Sequence, residues 1–334
     1  MRRLNILTAA VCVVILSSCA VNNELSGSER TVYAMDTVMT LKAFGGDDEV
    51  GAALDEAEKE IKYLDNILRR ENPDSDIYKI NRTGSAEVSE DTFKLIKTAL
   101  DICESTDGAF DISTAPVSDL WGFYTKNFYV PSDIEIAEAL SGVGYENIYA
   151  DENRIYAGGV QLDLGGMAKG YLSEKIMEIF KNNDVRSGIV SLGGNVHTLG
   201  TKPDGGKWRI AVQDPDSDEY IGEISVNDKA VITSGGYMRF FEQDGIVYHH
   251  IIDPKTGYPA KSGIKSVSIV SDSGTLADGL STALFVMGLD KSEEYWRTHS
   301  GFDAVFMTDD DNIYITEGIE DCFESRYDYT VIRR

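Results

Sequence analysis

Oxygen-bearing side chains near the end of the chain occur in a pattern that suits a cation. Asp278 and Thr282 are four residues apart, in a segment whose apolar residues predict a helix from about Thr275 to Met287. A carboxylate and a hydroxyl would then share one helix face. Hard oxygen donors of this kind suit Mg²⁺, which usually keeps several waters and also binds substrate phosphates. Taken alone, Asp278 is more typical of a helix start than of a metal ligand.

Another segment, Asp163 to Gly170, combines adjacent glycines with a predicted helix start. Its sequence is DLGGMAKG, and a helix is expected from about Gly170 to Phe180. Free backbone N–H groups at a helix start attract anions, and a glycine pair lets a ligand approach the backbone closely. A tight strand-to-helix turn is the simpler interpretation of the segment in isolation.

Two neighbouring histidines could handle protons near neutral pH. His249 and His250 precede Ile251-Ile252-Asp253-Pro254 at the end of a predicted strand. A histidine there could act as a general acid or base, although a strand-end histidine in a polar network is an equally good interpretation. The motifs of P-loop kinases, nicotinamide-binding Rossmann folds, zinc proteases and α/β-hydrolases do not occur in the sequence.

Composition and charge narrow the class of protein. The chain has 334 residues, of which 42% are apolar, and a formal net charge of −25. Such a composition is typical of a globular protein, and the negative charge makes a nucleic-acid partner unfavourable. Residues 1–18 resemble a bacterial signal peptide, and Leu16-Ser17-Ser18-Cys19 resembles a lipobox. We therefore expect lipidation at Cys19, with 19–30 as lipidated cysteine and tether; a plain secretory signal is the alternative.

Periodicity predicts the elements of the body. Helices are expected around Val50 to Leu68, after Ser89, and after Ser132, where Ser132 and Glu135 form a capping box. Beyond Phe180 the patterns indicate mainly strands, namely 188–192, 208–212, 230–233, 246–252, 265–270, 304–308 and 313–316. This distribution predicts an α+β fold, with helices concentrated in the N-terminal half and a mixed or antiparallel sheet in the C-terminal half.

Read together, seven short blocks resemble those of the ApbE family of FAD:protein FMN transferases. They occur in family order from about Thr31 to Arg326, and residues 31–330 are predicted to form one such domain. The blocks are Met35-Asp36-Thr37, Asp107 to Asp111 with Leu120 to Phe123, Asp163 to Gly170, Ser191 to Asn195, Thr233 to Tyr237, His250 to Gly257 and Ala277 to Ala283.

The resemblance implies a reaction and a set of site residues. FAD would be split at its pyrophosphate with Mg²⁺, FMN would pass to a Thr or Ser hydroxyl of a target protein, and AMP would leave. Positions that match the family's magnesium ligands are Asp278, Thr282 and the carbonyl of Gly166, with Ser281 as a further contact. His250 is the candidate for activating the hydroxyl. Positions that match the lining of the FAD site are Met35, Ala109, Phe110, Asp111, Asp163, Lys169 and Ile252.

Some positions depart from the family pattern and leave alternatives open. Arg70, Glu71 and Asn72 stand where some members have a tyrosine that stacks on flavin, and Lys169 replaces an acidic residue found in some members. A Mg²⁺-dependent FAD pyrophosphatase that uses water as acceptor is one alternative activity. An FAD-binding lipoprotein without chemistry and a structural surface lipoprotein are the others.

The resemblance also implies partners and a location. The acceptors would be membrane redox subunits of the Nqr or Rnf type, or secreted flavoproteins with a Thr-containing motif. The enzyme would be held to a membrane of the bacterial cell envelope by its lipid, with the catalytic domain outside the cytoplasm.

Overall fold

The structure is a computed structural model that describes residues 26–334, so the predicted signal and Cys19 lie outside the described residues. The strands, in chain order, are β1 Gly27–Ala34, β2 Thr37–Phe44, β3 Ser85–Glu87, β4 Ile148–Asp151, β5 Arg154–Ala157, β6 Ser187–Leu192, β7 Asn195–Leu199, β8 Trp208–Gln213, β9 Tyr220–Val226, β10 Ala230–Gly235, β11 Phe240–Gln243, β12 Ile246–His249, β13 Ile264–Ser271, β14 Phe302–Thr308, β15 Ile313–Thr316, β16 Phe323–Glu324 and β17 Tyr329–Ile332. The α-helices are α1 Asp47–Leu68, α2 Asp76–Thr83, α3 Glu90–Ser105, α4 Ala115–Leu120, α5 Asp133–Leu140, α6 Ala168–Asn182, α7 Gly274–Met287 and α8 Leu289–Thr298.

A nine-stranded sheet organises the molecule. Its order is β1-β2-β6-β7-β10-β13-β14-β15-β17. Neighbouring strands are antiparallel except for the parallel pair β15–β17, so the sheet is mixed. The predicted α+β class is therefore confirmed.

The two faces of the sheet bury different partners, because successive side chains of a strand point to opposite faces. In β10, Ile232 joins a large core with helices α1, α3, α6 and α7, whereas Val231 joins a second core. That second core packs the sheet against the small three-stranded sheet β16-β9-β8. The helices needed for the candidate site thus lie together on one face.

The predicted helices are confirmed in their positions, and the caps at Ser89 and Ser132 are present. The α1 helix covers the whole predicted segment, and Ser89 caps α3 by accepting a hydrogen bond from Thr92 N. Ser132 and Glu135 form the predicted capping box at the start of α5. No helix within 26–334 has the length and apolar character needed to cross a bilayer.

The N-terminal hairpin differs from the sequence-based expectation. β1 begins at Gly27, so Gly27 to Arg30, predicted above to belong to the tether, pair with β2 instead. Met35 and Asp36 both have positive φ in the two-residue turn between these strands, which is the conformation that matches strand twist. Because β2 then pairs with β6, the N-terminal half contributes two strands to the sheet as well as helices.

A small aromatic unit lies at the side of the main core. It consists of α4, α5 and the two-stranded sheet β11–β12 around the buried Trp121 ring. Trp121 Nε1 donates a hydrogen bond to the Gly257 carbonyl at 2.8 Å, and the Phe241 and Tyr248 rings stack at 5.2 Å. The predicted strand 246–252 ends at His249, so the chain is free to turn into the candidate site at His250.

Candidate active site

The predicted anion and cation segments meet where α6 contacts α7. Gly170 N, in the first turn of α6, donates a hydrogen bond to Asp278 Oδ2 at 2.8 Å. A β-carbon on Gly170 would overlap the Gly274 carbonyl oxygen and the Asp278 β-carbon. Only glycine therefore lets the two helices approach closely enough for this bond.

A group of hydroxyls lies beside this contact. Ser234 Oγ, near the end of β10, is 2.7 Å from Ser281 Oγ and 3.2 Å from Thr282 Oγ1. A β-carbon on Gly166 would lie 4.0 Å from Thr282 Oγ1 and 3.0 Å from the Phe110 ring. The structure thus brings together Gly166, Asp278 and Thr282, which are the predicted ligands, and adds Ser234 to them.

The donor set fits a magnesium ion that also binds substrate phosphates. Within residues 26–334 no group of three or more His, Cys, Asp or Glu side chains could hold a metal. One carboxylate with hydroxyl and carbonyl oxygens is instead a set that Mg²⁺ completes with waters and phosphates. Burial raises the pKa of Asp278, while the nearby Lys169 charge, the Gly170 amide and the Asn195 side chain lower it. A bound cation would further favour the ionised carboxylate.

The two neighbouring histidines make different contacts. His249 Nε2 is 3.0 Å from the Ala260 carbonyl, and its Nδ1 accepts from Ile251 N at 3.3 Å. His250 Nδ1 is 3.1 Å from the Arg239 carbonyl oxygen. Because a carbonyl only accepts, His250 Nδ1 carries the proton. Burial and the Arg239 charge lower the pKa of His250, so the ring is neutral and Nε2 is the atom left to accept a proton.

The charge of Lys169 acts on both Asp278 and His250. This positive charge stabilises the ionised form of Asp278 and disfavours the protonated form of His250. Lys169 lies in the first turn of α6, next to Gly170. The histidine pair also lies beside the hydroxyls of Ser234, Ser281 and Thr282, since a β-carbon on Gly236, two residues after Ser234, would overlap the His249 ring.

The loop Asp107 to Asp111 lies beside the glycine-rich turn, where Phe110 contacts Gly166. Lys255 Nζ pairs with Asp107, which joins this loop to the segment that follows His250. Asp111 Oδ1 accepts from Ser113 N at 2.7 Å, and Oδ2 accepts from Tyr145 N at 3.2 Å. Asp111 thus holds its own loop in shape, and burial raises its pKa. Its predicted contact with FAD stays a prediction.

The remaining predicted lining residues lie at different depths. Ala109 and Phe110 are buried, and Ile252 is buried in the aromatic unit. Met35 is at the tip of the β1–β2 hairpin, where its N–H donates to Asp65 Oδ1 at 3.1 Å. A β-carbon on Gly193 would overlap Thr37, so the Ser191-to-Asn195 block packs against this hairpin.

Asp163 has partners that the sequence did not indicate. Its Oδ1 accepts from Gly165 N at 2.8 Å, and its Oδ2 accepts from Arg70 Nη1 at 3.0 Å. Arg70 also donates to Asp119 and lies over the Tyr124 ring. In the sequence, Arg70 stands out only as a departure from the family pattern. No local motif indicates the contacts of Arg70, because its partners Asp119 and Asp163 are 49 and 93 positions away in sequence.

Solved flavin-transferase structures share this fold. The chain superimposes on the crystal structure of the ApbE protein of Thermotoga maritima with a TM-score of 0.84 and 35% identity, covering 89% of this chain and 99% of that one. The flavin transferase ApbE of Vibrio cholerae gives a TM-score of 0.80 and 25% identity, covering 89% and 99%. The architecture that carries the site is thus that of a flavin transferase.

Sequence comparison assigns the family. The ApbE family model matches residues 35–306. FAD:protein FMN transferase of Treponema pallidum is 32% identical, covering 96% of this chain and 94% of that protein. The protein of the same name from Klebsiella pneumoniae is 30% identical, covering 86% and 93%. The chain belongs to the ApbE family, as the sequence blocks had indicated.

Proposed function

We propose that this chain is an FAD:protein FMN transferase that requires Mg²⁺ and releases AMP. The single observation that carries this proposal is that a candidate proton acceptor and a set of oxygen ligands lie in one site. His250, whose Nδ1 is bound to the Arg239 carbonyl, directly follows His249, and the His249 ring lies against Gly236. Gly236 is two residues after Ser234, whose hydroxyl contacts Ser281 and Thr282 on the same helix face as Asp278. Transfer of a phosphorus-bound group requires a proton acceptor and charge neutralisation in this proximity.

The reaction breaks one bond and forms another at the same phosphorus. The acceptor hydroxyl oxygen bonds to the FMN-side phosphorus of FAD, and the bond from that phosphorus to the bridging oxygen breaks. The bridging oxygen leaves with AMP, and the hydroxyl proton passes to His250 Nε2. The Arg239 carbonyl holds the His250 ring in the tautomer that receives this proton.

The chain would neutralise and orient the pyrophosphate from the α6–α7 side. Asp278, Thr282 and the Gly166 carbonyl would hold the magnesium ion, which supplies electrostatic stabilisation of the phosphate oxygens. Lys169 adds a fixed positive charge beside them. These groups allow a chain with a net charge of −25 to bind an anionic substrate.

The acceptor and the location follow from the sequence-based expectations. We infer an acceptor flavoprotein with a Thr-containing motif, such as a membrane redox subunit of the Nqr or Rnf type or a secreted flavoprotein. Lipidation at Cys19 would hold the enzyme at the envelope membrane, with the catalytic domain outside the cytoplasm. Labelling with a radioactive fatty acid, compared with a Cys19→Ala variant, tests the anchor; equal labelling of both proteins would reject it.

Intact-mass analysis of the acceptor tests the transfer directly. The full chain, purified in mild detergent, is incubated with FAD, Mg²⁺ and a flavoprotein domain that carries the acceptor Thr. We expect the acceptor to gain the mass of FMN, AMP to appear in equal amount, and EDTA to prevent both. Free FMN and AMP with an unmodified acceptor would instead identify a pyrophosphatase. FAD that survives intact in the presence of Mg²⁺ would favour a binding protein.

A further inference from the structure

Arg70 is a buried cation shared by two carboxylates. Its guanidinium donates to Asp163 Oδ2 at 3.0 Å and to Asp119 Oδ2 at 2.6 Å, and only 10% of the side chain is exposed. The guanidinium carbon lies 4.5 Å from the centre of the Tyr124 ring. Arg70 therefore ties together the segment after α1, the turn before α6, and the region of α4.

The contacts of Arg70 point to a role in geometry rather than in stability alone. A buried ion pair loses hydration and is weak evidence for stabilisation. In addition, Arg70 Nε is buried and forms no hydrogen bond with any residue in 26–334. The arrangement orients the Asp119 and Asp163 carboxylates, because a planar guanidinium fixes the orientation of the carboxylates that it binds.

Asp163 transmits this orientation to the glycine-rich turn. While Oδ2 is held by Arg70, Oδ1 accepts from Gly165 N at 2.8 Å. The next residue, Gly166, lies beside Thr282 and the Phe110 ring. Movement of the Asp163 carboxylate would therefore displace the turn that brings the Gly166 backbone to the hydroxyls of Ser234, Ser281 and Thr282.

We propose that Arg70 is a positioning residue for the FAD site. It holds Asp163, and through Asp163 the Gly165–Gly166 turn, in the conformation that receives the pyrophosphate. It also offsets the negative charge of Asp163, which would otherwise repel the phosphates. This inference rests on the proposed function for its kinetic consequences, but not for the structural coupling between Arg70 and the turn.

Amide hydrogen exchange tests the structural coupling without any turnover. In the full chain with Arg70→Met, we expect exchange at Gly165 and Gly166 to become several-fold faster, while exchange in the strands of the nine-stranded sheet stays unchanged. Arg154→Met is the matched control, since Arg154 pairs with Glu87 at the surface. Unchanged exchange at the turn in Arg70→Met would overturn the proposal, and so would equal acceleration throughout the chain.

Steady-state kinetics tests the consequence for FAD. We expect Arg70→Met to raise KM for FAD about tenfold and to change kcat much less, which is the size of effect typical of residues that orient a site group. Arg70→Lys keeps the charge but not the planar double contact, so it should recover little of the loss. A KM equal to that of the wild type in Arg70→Met, or full recovery in Arg70→Lys, would contradict positioning by the guanidinium.

A double-mutant cycle separates this inference from failure of the proposed function. If Arg70 acts through Asp163, then Asp163→Asn should shift KM for FAD by a similar factor, and the double variant should be no worse than either single variant. Additive effects would overturn the coupling. If the wild-type chain neither transfers nor hydrolyses FAD, the proposed function fails, whereas the exchange measurement still decides the role of Arg70.

Discussion

The two halves of the candidate site are built on different supports. The cation half comes from α6, α7 and the end of β10, where Asp278 is 5% exposed and Ser281 is fully buried. The histidine half follows β12 of a two-stranded sheet whose tip residues Ile246 and Val247 are about half exposed. The cation half is therefore part of the main core, whereas the histidine half is attached to the small aromatic unit.

This difference shows what fixes the positions of the side chains in each half. In the cation half, close helix packing fixes the atoms, since Gly170 lets α6 approach α7. In the histidine half, a single backbone acceptor, the Arg239 carbonyl, sets the tautomer and direction of the His250 ring. Changes in the first half should affect both activity and stability, whereas changes at His250 should affect activity alone.

The largest expected effect is the loss of the Asp278 charge. Asp278→Asn keeps an acceptor for Gly170 N but removes the negative charge from the oxygen cluster. We expect FMN transfer to fall about 10³-fold, because metal-dependent charge stabilisation is worth several kcal/mol. Intact-mass analysis of the acceptor measures the rate. Asp272→Asn, at an exposed surface pair, is the control. A rate within threefold of the wild type would remove Asp278 from the metal site.

The next effect separates the two histidines. His250→Ala should reduce transfer about 10²-fold, the usual contribution of a general base, without changing the melting temperature. His249→Ala should lower the melting temperature, because His249 binds the backbone through both ring nitrogens. Transfer at the wild-type rate by His250→Ala would exclude the assigned role.

The pH dependence of transfer sharpens the assignment of His250. Burial and Arg239 lower the pKa of His250, so the ring stays neutral below the ordinary histidine value. The acid limb of the rate profile should therefore lie below about pH 6.5. We would measure the rate of acceptor modification from pH 4 to pH 8 under saturating FAD. An acid limb above pH 7 would contradict a lowered pKa.

A smaller effect concerns the stability of the fold at low pH, which depends on the buried His197. Burial lowers the pKa of His197 to about 4, and its Nδ1 contacts Ser173 Oγ at 2.9 Å. Because the unfolded state binds a proton at higher pH, this contribution is complete above about pH 6.5 and is lost as the pH falls towards 4. The free energy of unfolding should decrease by about 1.4 kcal/mol per pH unit over that range, about 3 kcal/mol in all.

Denaturant unfolding at several pH values checks this contribution. His197→Gln should reduce the slope of the unfolding free energy against pH by the amount due to one proton. An equal slope in the wild type and His197→Gln would show that His197 is not the group responsible.

The smallest effect tests the helix approach with two glycines. Gly170→Ala places a methyl group against the Gly274 carbonyl, and overpacking of this kind costs about 1–3 kcal/mol. Gly51→Ala in α1 has open space around the new methyl group, and should stabilise by about 0.5–1 kcal/mol through helix propensity. Thermal unfolding compares them. Equal effects of the two substitutions would show that α6 and α7 are not tightly apposed.

Local sequence patterns predicted much of the helical structure. The apolar spacing of α1 and the caps of α3 and α5 depend on residues only a few positions apart. The boundary of the tether was predicted wrongly, because β1 is defined by pairing with β2 rather than by its own pattern. The strands β7 and β9 are not predicted from the sequence either, although they pair with the preceding strands β6 and β8. Polar residues and a glycine interrupt their apolar patterns.

The sequence by itself determined the family, the α+β class and the set of candidate site residues, because these depend on residue types and their order. Only the tertiary structure decided that, among residues 26–334, both ring nitrogens of His249 but only Nδ1 of His250 have hydrogen-bond partners, and that Arg70 binds Asp163 across 93 positions. Both distinctions depend on which atoms meet after folding. Such contacts are set by packing between distant segments, which no local spacing encodes.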